Sequence, residues 1–302
     1  MKDLKFIIDK EQGRVDKVIV ELTTDLSRSD VKRLFDNGLI DVNLKKVKPS
    51  YLVKPGDVIE VRIPEPEIWD VKGEDIPLDV VYEDEDVIVV NKPAQMVVHP
   101  APGHYSGTLV NALMHHCKDL SSIKGIIRAG IVHRIDKDTS GLLVACKNDA
   151  AHRDISAQFK AKKIKRTYVA IVCGVINHNL GKIDAPIGRS PINRQQMGVV
   201  GDGKPSVTHF KVIERFKEHT LVELNLETGR THQIRVHMKY IGYPLLGDPV
   251  YGSPKNVSEY GQFLHAQTLG FIHPRTKEYL EFTSELPDYF EEKINELRAE
   301  MK

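Results

Sequence analysis

Between residues 13 and 62 the apolar positions change period twice. Asp25-Leu26-Ser27-Arg28-Ser29-Asp30 offers a helix N-cap, Val31, Leu34 and Phe35 follow at helical spacing, and Gly38 closes the helix. Leu39-Ile40-Asp41-Val42 then alternates as a strand does, and a Pro-Gly-Asp turn at Pro55 leads into a second alternating strand, Val58-Ile59-Glu60-Val61. A small αβ module over 13–62 is expected. Arg28, Lys32 and Arg33 lie within two turns, which makes one face of its helix basic.

Residues 63–77 lose this periodicity. Pro64, Pro66 and Pro77 stand among Glu65, Glu67, Glu74 and Asp75, which predicts an extended acidic linker and a domain boundary. Residues 78–302 form the larger part. Strand patterns cover 78–82 and 87–90, around the acidic turn Glu83-Asp84-Glu85-Asp86, and a helix with Leu109, Ala112 and Leu113 inward covers 109–116. An amphipathic helix over 148–163 carries Ile155 and Phe159 on one face and leads into a strand at 167–172. Residues 174–205, rich in Gly, Pro and Asn, predict a long loop region with room for a short hairpin. Strands follow at 207–213 and 220–226. From Thr231, Ile234, Met238 and Ile241 recur at helical spacing until Gly242, with Arg235 at the edge of the buried face. Strand signals near 263–271 and 279–282 and a helix from Asp288 complete the pattern.

The pattern is most unusual from Gly130 to Gly141, Gly-Ile-Val-His-Arg-Ile-Asp-Lys-Asp-Thr-Ser-Gly. Ile131-Val132 and Leu142-Leu143-Val144 flank it and read as short buried strands. Charged groups held between buried strands cannot all face water. A buried carboxylate needs a partner cation or it takes up a proton. Asp136 is the candidate carboxylate, and Arg134 or a distant arginine the candidate partner. The alternative is a surface loop with a solvated Asp-Lys-Asp run. Lys92, held extended by Pro93, is placed to aim its ammonium across a cleft.

Composition narrows the class. The chain has 302 residues, 41% hydrophobic and 28% charged, and no apolar run approaches a membrane span. The N-terminal segment has no apolar core and reads as no secretory signal. Cys117, Cys146 and Cys173 are odd in number and widely spaced, which argues for a reducing cytoplasm rather than a disulfide framework. The net charge of +1 conceals a segregation: net −9 over 64–89, but net +8 over 90–302, a body suited to phosphates. There is no glycine-rich phosphate loop, no His-Glu-x-x-His and no Gly-x-Ser-x-Gly elbow. His115 and His116, about 100° apart on a helix, do not share an ion easily. No metal is expected. What remains is a lone aspartate, able to act as a nucleophile or a proton acceptor.

His133-Arg134-Ile135-Asp136-Lys137-Asp138-Thr139-Ser140-Gly141 resembles the signature of the RluA-type pseudouridine synthases. Asn91-Lys92-Pro93 with His99-Pro100, Tyr168 at its basic-to-strand junction, Thr228-Gly229-Arg230-Thr231-His232-Gln233-Ile234-Arg235, and Leu264-His265-Ala266 with His273-Pro274 match further blocks in the same order. The module over 13–62 resembles the S4 RNA-binding domain through its Ser-Arg-Ser, Gly-Leu-Ile-Asp-Val-Asn and Val-Lys-Pro-Gly-Asp-Val-Ile. Two positions depart: Ile135 where leucine is usual, and Leu44 where the S4 pattern has glycine, which weakens the expectation of a tight type I′ hairpin there.

The resemblance implies an α+β chain: a small αβ S4-like domain, then a synthase domain with a central, mostly antiparallel mixed sheet flanked by helices and a catalytic cleft. It implies isomerisation of uridine to pseudouridine in structured RNA, closest to members acting on large-subunit ribosomal RNA, without cofactor. By the match Asp136 is the catalytic aspartate, Arg235 its partner and Tyr168 the ring against the base. Asp136 either attacks C1′ or takes a proton from C2′. Arg134 resembles the residue that fills the space left by the flipped uridine. His133, Lys92 and Arg230 are further candidates for substrate contact, and Arg28, Lys32 and Arg33 for RNA contact. A cytoplasmic monomer is expected. Two rival readings are an S4-type RNA-binding protein without catalysis and a glycoside hydrolase, for which Asp138 is the nearby second carboxylate.

Overall fold

The computed structural model describes residues 2–10, 13–23, 26–64, 71–101, 103–123, 125–193 and 196–301. The chain divides into two compact units, Met1–Trp69 and Asp70–Lys302.

The first unit runs β1 (Lys2–Ile7), β2 (Gly13–Arg14), α1 (Val15–Leu22), α2 (Arg28–Asp36), β3 (Ile40–Val42), β4 (Lys45–Lys46), β5 (Leu52–Val53) and β6 (Val58–Ile63). Its four-stranded sheet has the order β1-β6-β3-β4, with β2 and β5 paired apart. The helix expected after Ser27 starts on a capping box: the Ser27 hydroxyl accepts the Asp30 amide, and the Asp30 carboxylate accepts the Ser27 amide. Asp25, read as part of that cap, lies outside the described residues. The unit begins well before residue 13, because β1 pairs along the whole of β6. Helix α1 was not anticipated, although Val15, Val18, Ile19 and Leu22 stand at helical spacing along it. Val15, Val18 and Ile19 of α1 pack with Val31, Leu34, Ile40, Ile59 and Val61 into one core.

The turn between β3 and β4 is the tight hairpin that Leu44 had put in doubt. Val42 pairs with Lys45, and the two residues between, Asn43 and Leu44, have φ of 52° and 62°. That is the type I′ requirement. Asn43 imposes it: its Nδ2 donates to Asp57 Oδ1 at 2.8 Å, and its Oδ1 accepts the Val58 amide at 2.9 Å. Leu44, 82% exposed, follows in a conformation that suits glycine.

The second unit runs β7 (Val80–Glu83), β8 (Val87–Lys92), α3 (Leu109–His116), β9 (Ser140–Cys146), α4 (Asp149–Lys160), β10 (Lys165–Cys173), β11 (Leu180–Asp184), β12 (Ile187–Arg189), β13 (Met197–Val199), β14 (Val207–Arg215), β15 (His219–Leu226), α5 (Gln233–Tyr240), β16 (Leu264–Ile272), β17 (Tyr279–Thr283) and α6 (Asp288–Ala299). Nine strands form one sheet, in the order β11-β14-β15-β10-β16-β9-β8-β7, with β17 also on β16. All these pairings are antiparallel except β16 on β9. Every residue of β9 is buried. Leu142, Val144 and Cys146 pack with Ala151 and Ile155 of α4, and Phe290, Ile294 and Leu297 of α6 close on Val169 and Ile171 of β10.

Residues 71–76, assigned to a linker by composition, lie on this unit. Asn111 Nδ2 donates to the Lys72 carbonyl at 2.8 Å, and the Glu74 amide donates to the Asn111 carbonyl at 3.0 Å. Residues 65–70 of that linker lie outside the described residues. The region 174–205 holds the short hairpin for which the sequence left room, β12 with β13, and one strand it did not show, β11. β11 is an edge strand with mostly uncovered side chains, so it carries little of the apolar pattern that marks a buried strand. Among the described residues no helix is long and apolar enough to cross a membrane.

Candidate active site

Asp136 lies in the loop leading into β9, and three anchors hold that loop. The Thr139 amide donates to the Asp136 carbonyl at 3.1 Å, and Gln262 Nε2 reaches the buried Thr139 hydroxyl at 3.1 Å. Lys92 supplies the third: its Nζ donates to the carbonyls of Pro93, Met96 and Lys137 at 2.6, 2.9 and 3.0 Å. Gly141 makes the close approach of β9 to β16 possible. Its φ is +112°, and a Cβ there would stand 2.3 Å from the Ala266 carbonyl oxygen.

Arg235 arrives on α5. Gln233, the first residue of that helix, ties it to the preceding loop by accepting the Arg230 amide at 3.0 Å and the Thr228 hydroxyl at 2.7 Å. The Arg235 side chain is 5% exposed and divides its donors between two carboxylates. Nη1 donates to Asp136 Oδ2 at 2.9 Å, while Nε and Nη2 grip Asp248 Oδ2 and Oδ1 at 2.7 and 2.9 Å. The fork on Asp248 is bidentate, the geometry that fixes a guanidinium plane. Asp248 also accepts the Val250 and Tyr251 amides, each at 2.9 Å. Burial pushes the Asp248 carboxyl up, but Arg235 and those amides outweigh it and leave it below the usual range. Burial likewise opposes the Arg235 charge, and the two carboxylates raise it overall.

Around this pair is a cleft of about 540 Å³, a size that accepts a small organic ligand. Tyr168, Ile234, Leu264 and Phe159 form apolar wall, and Arg134, Lys160, Lys162, Arg166 and Arg230 are its cationic lining. Tyr168 is 7% exposed on β10, next to an irregularity in the β16 register that redirects the strand. Burial raises its phenol, Arg166 lowers it and Asp136 raises it, with a net rise. The Arg166 guanidinium lies 5.4 Å from the centre of the Phe159 ring. Arg166 Nε is buried without a hydrogen-bond partner.

The remaining sequence candidates fall into three groups. Arg134 is exposed at the cleft and donates to the Thr231 hydroxyl at 3.2 Å, and Arg230 lines it while donating to the Pro205 carbonyl at 3.3 Å. His133 lines it too, but its Nε2 accepts the Val144 amide at 3.1 Å and its ring packs 4.7 Å from Phe159, so it shapes the turn. Lys92 does not aim across the cleft. It is 1% exposed, and three carbonyls hold its ammonium below the Asp136 loop, where burial lowers it to about 7 against the pull of Asp138 and Asp136. Asp138 does not line the cleft; its side chain lies against Gly261. Arg28, Lys32 and Arg33 are exposed on α2 of the first unit.

Sequence reasoning missed Asp248, His232 and Tyr251. His232 Nε2 stands 4.0 Å from Asp136 Oδ1. The Tyr251 ring lies 5.0 Å from the Arg235 guanidinium. Asp248 carries no motif of its own, and only its burial at 1% exposure marks it. Among the described residues two His, Cys and acid groupings have metal-like spacing, Glu83-His116-Cys117 and Asp84-Asp86-His273. Both are engaged within the protein, Glu83 by Lys147 at 2.8 Å and Asp86 by Arg275 at 2.6 Å.

Residues 86–240 match the family described as RNA pseudouridylate synthase, and residues 13–59 match the S4 domain. The chain is 56% identical over 290 residues to the uncharacterized RNA pseudouridine synthase YlyB of Bacillus subtilis, covering 96% of each. It is 48% identical over 287 residues to the ribosomal large subunit pseudouridine synthase D of Zymomonas mobilis, covering 91% of this chain and 90% of that one. The structure of human RNA pseudouridylate synthase domain containing 1 superposes with a TM-score of 0.58 at 26% identity, over 75% of this chain and 97% of that chain.

Proposed function

The chain belongs to the RNA pseudouridylate synthase family, with an S4 domain at its N-terminal end, and from that premise we propose that it isomerises uridines of large-subunit ribosomal RNA with Asp136 acting on the target ribose. The ribosomal assignment rests on relatives named large subunit pseudouridine synthase D at 43–48% identity. The chemistry rests on one observation: the Asp136 carboxylate, hydrogen-bonded at 2.9 Å to a guanidinium that a second buried carboxylate holds in plane, at a cleft walled by Tyr168 and Leu264.

Pseudouridine formation breaks the C1′–N1 bond, turns the uracil and joins C1′ to C5. The C5 hydrogen leaves as a proton and N1 gains one. Asp136 opens the sequence as nucleophile at C1′ or as base at C2′, and either route uses the oxygen that Arg235 leaves free. Arg235 orients the carboxylate. Tyr168 provides a flat apolar face on which the detached base turns without water. Its raised phenol suits packing rather than proton removal at neutral pH. Arg134 enters the space the target uridine vacates, which must leave its stack to reach the cleft. Arg166, Lys160 and Lys162 meet the flanking phosphates, and Arg28, Lys32 and Arg33 of the S4 domain add sequence-independent backbone affinity.

The test has two parts. Tritium release from a large-subunit ribosomal RNA transcript labelled at uracil C5 should vanish in Asp136→Asn while RNA binding persists. Mapping pseudouridine in ribosomal RNA from cells with and without the gene should show specific large-subunit positions missing. A variant that releases tritium at the parental rate removes Asp136 from the chemistry, and unchanged maps remove the ribosomal substrate.

A further inference from the structure

One neighbour of Asp136 has no task in this scheme. Arg235 occupies Asp136 Oδ2, and His232 Nε2 lies 4.0 Å from the other oxygen, Oδ1. The opposite ring nitrogen, Nδ1, is 2.8 Å from the Tyr251 hydroxyl, which itself accepts the Met197 amide at 3.0 Å. An amide can only donate, and the phenolic hydrogen needs an acceptor. The arrangement that uses both hydrogens has Tyr251 donating to Nδ1, which leaves the imidazole proton on Nε2, on the side of Asp136. Burial keeps this imidazole neutral by lowering it below its ordinary value, against the pull of Asp136.

The backbone is a second, independent observation. His232 has φ of 56°, in the left-handed region, immediately before α5, and makes no capping hydrogen bond there. That conformation costs a residue with a side chain roughly 1–2 kcal/mol, and such outliers gather where a side chain must be aimed. The fold keeps an imidazole where glycine would rest without strain.

We propose that His232 is a further catalytic residue, whose Nε2–H donates a hydrogen bond to O2 of the target uracil as the glycosidic bond breaks. This rests on the assignment of Asp136 above. When C1′–N1 breaks, the bonding pair stays with the uracil ring and spreads over O2 and O4. O2 is the base oxygen nearest C1′, and a donor beside the oxygen that works on the ribose reaches it. No proton moves from His232. The hydrogen bond strengthens as charge develops and relaxes when C5 joins C1′ and N1 is protonated. A fixed donor aimed at developing charge lowers the barrier, and removing one costs about a hundredfold in rate.

The full-length protein is tested with the tritiated large-subunit transcript and by 15N NMR of its imidazoles, with the His232 signals assigned from their loss in His232→Gln. The wild type should show the proton on Nε2, and Tyr251→Phe should move it toward Nδ1 and lower kcat. His232→Leu should lose about a hundredfold in kcat with KM within about twofold. His232→Gln, which keeps an N–H donor, should recover part of that loss. Parental kcat in His232→Leu, or a wild-type proton on Nδ1, overturns the role of His232 alone. An active Asp136→Asn overturns the assignment beneath it as well.

Discussion

At the scale of single residues, the site depends on how Arg235 is held. With its Nε and Nη2 bound to Asp248, only Nη1 reaches Asp136, so the carboxylate has one charge-assisted contact of fixed direction. Asp248→Asn keeps the shape but loses one acceptor charge. We expect kcat to fall about tenfold to a hundredfold with KM for RNA nearly unchanged, because small misplacement of a reacting group costs that much. Arg235→Lys should do worse, since an ammonium cannot reproduce the fork, and steady-state kinetics of the two variants would order them. Leu44 poses the opposite case. Held left-handed by the Asn43 anchor, it carries strain that glycine lacks. Leu44→Gly should stabilise the first unit by about 1 kcal/mol without touching activity, read from thermal unfolding. The motif around Asp136 was legible because its residues are contiguous. Asp248 was not, because nothing in sequence distinguishes a buried aspartate from a solvated one.

At the scale of elements, the parallel contact of β9 with β16 fixes the Asp136 loop against the rest of the sheet. His265 bridges it: Nδ1 meets the Ser140 hydroxyl and Nε2 the Ser284 hydroxyl, each at 2.8 Å. Burial lowers this imidazole to about 4, whereas an unfolded histidine titrates near 6.5. Between those values the unfolded chain binds the extra proton and the folded one does not. Stability is therefore fully present above pH 6.5 and is lost as pH falls toward 4, by roughly 3 kcal/mol from this group. His265→Asn should flatten the dependence of Tm on pH over that window, which calorimetry would register. Strong periodicity gave α2, α4 and α5. Helix α1 has Val15, Val18, Ile19 and Leu22 at the same helical spacing, a signal present in the sequence and not taken up. β12 and β13, the strands of the hairpin for which the sequence left room, have three residues each and no period of their own to place them. Such short pieces are specified by what they pack on more than by their own period.

At the scale of the whole molecule, the proposed function divides the labour between the two units, affinity in the first and chemistry in the second. If the basic face of α2 grips backbone, replacing Arg28, Lys32 and Arg33 with Ala should raise KM and leave kcat unchanged. It should also reduce the slope of log affinity against log salt by about 2, which binding titrations at several ionic strengths would measure. The spacing of Arg28, Lys32 and Arg33 that suggested this was plain in the sequence, as were both domain signatures. The meeting of Asp136 with Arg235, 99 positions apart, was legible only through the family resemblance, and that of Ser140 with His265, 125 apart, not at all, because periodicity does not link distant positions. Closing loops of that length is slow, and local hairpins form first. The parallel seam is therefore expected to join late. In refolding, circular dichroism should recover before tritium release does. On the proposed function, a nascent chain would hold RNA while still chemically silent, and would begin to modify it only once its last distant strands had met.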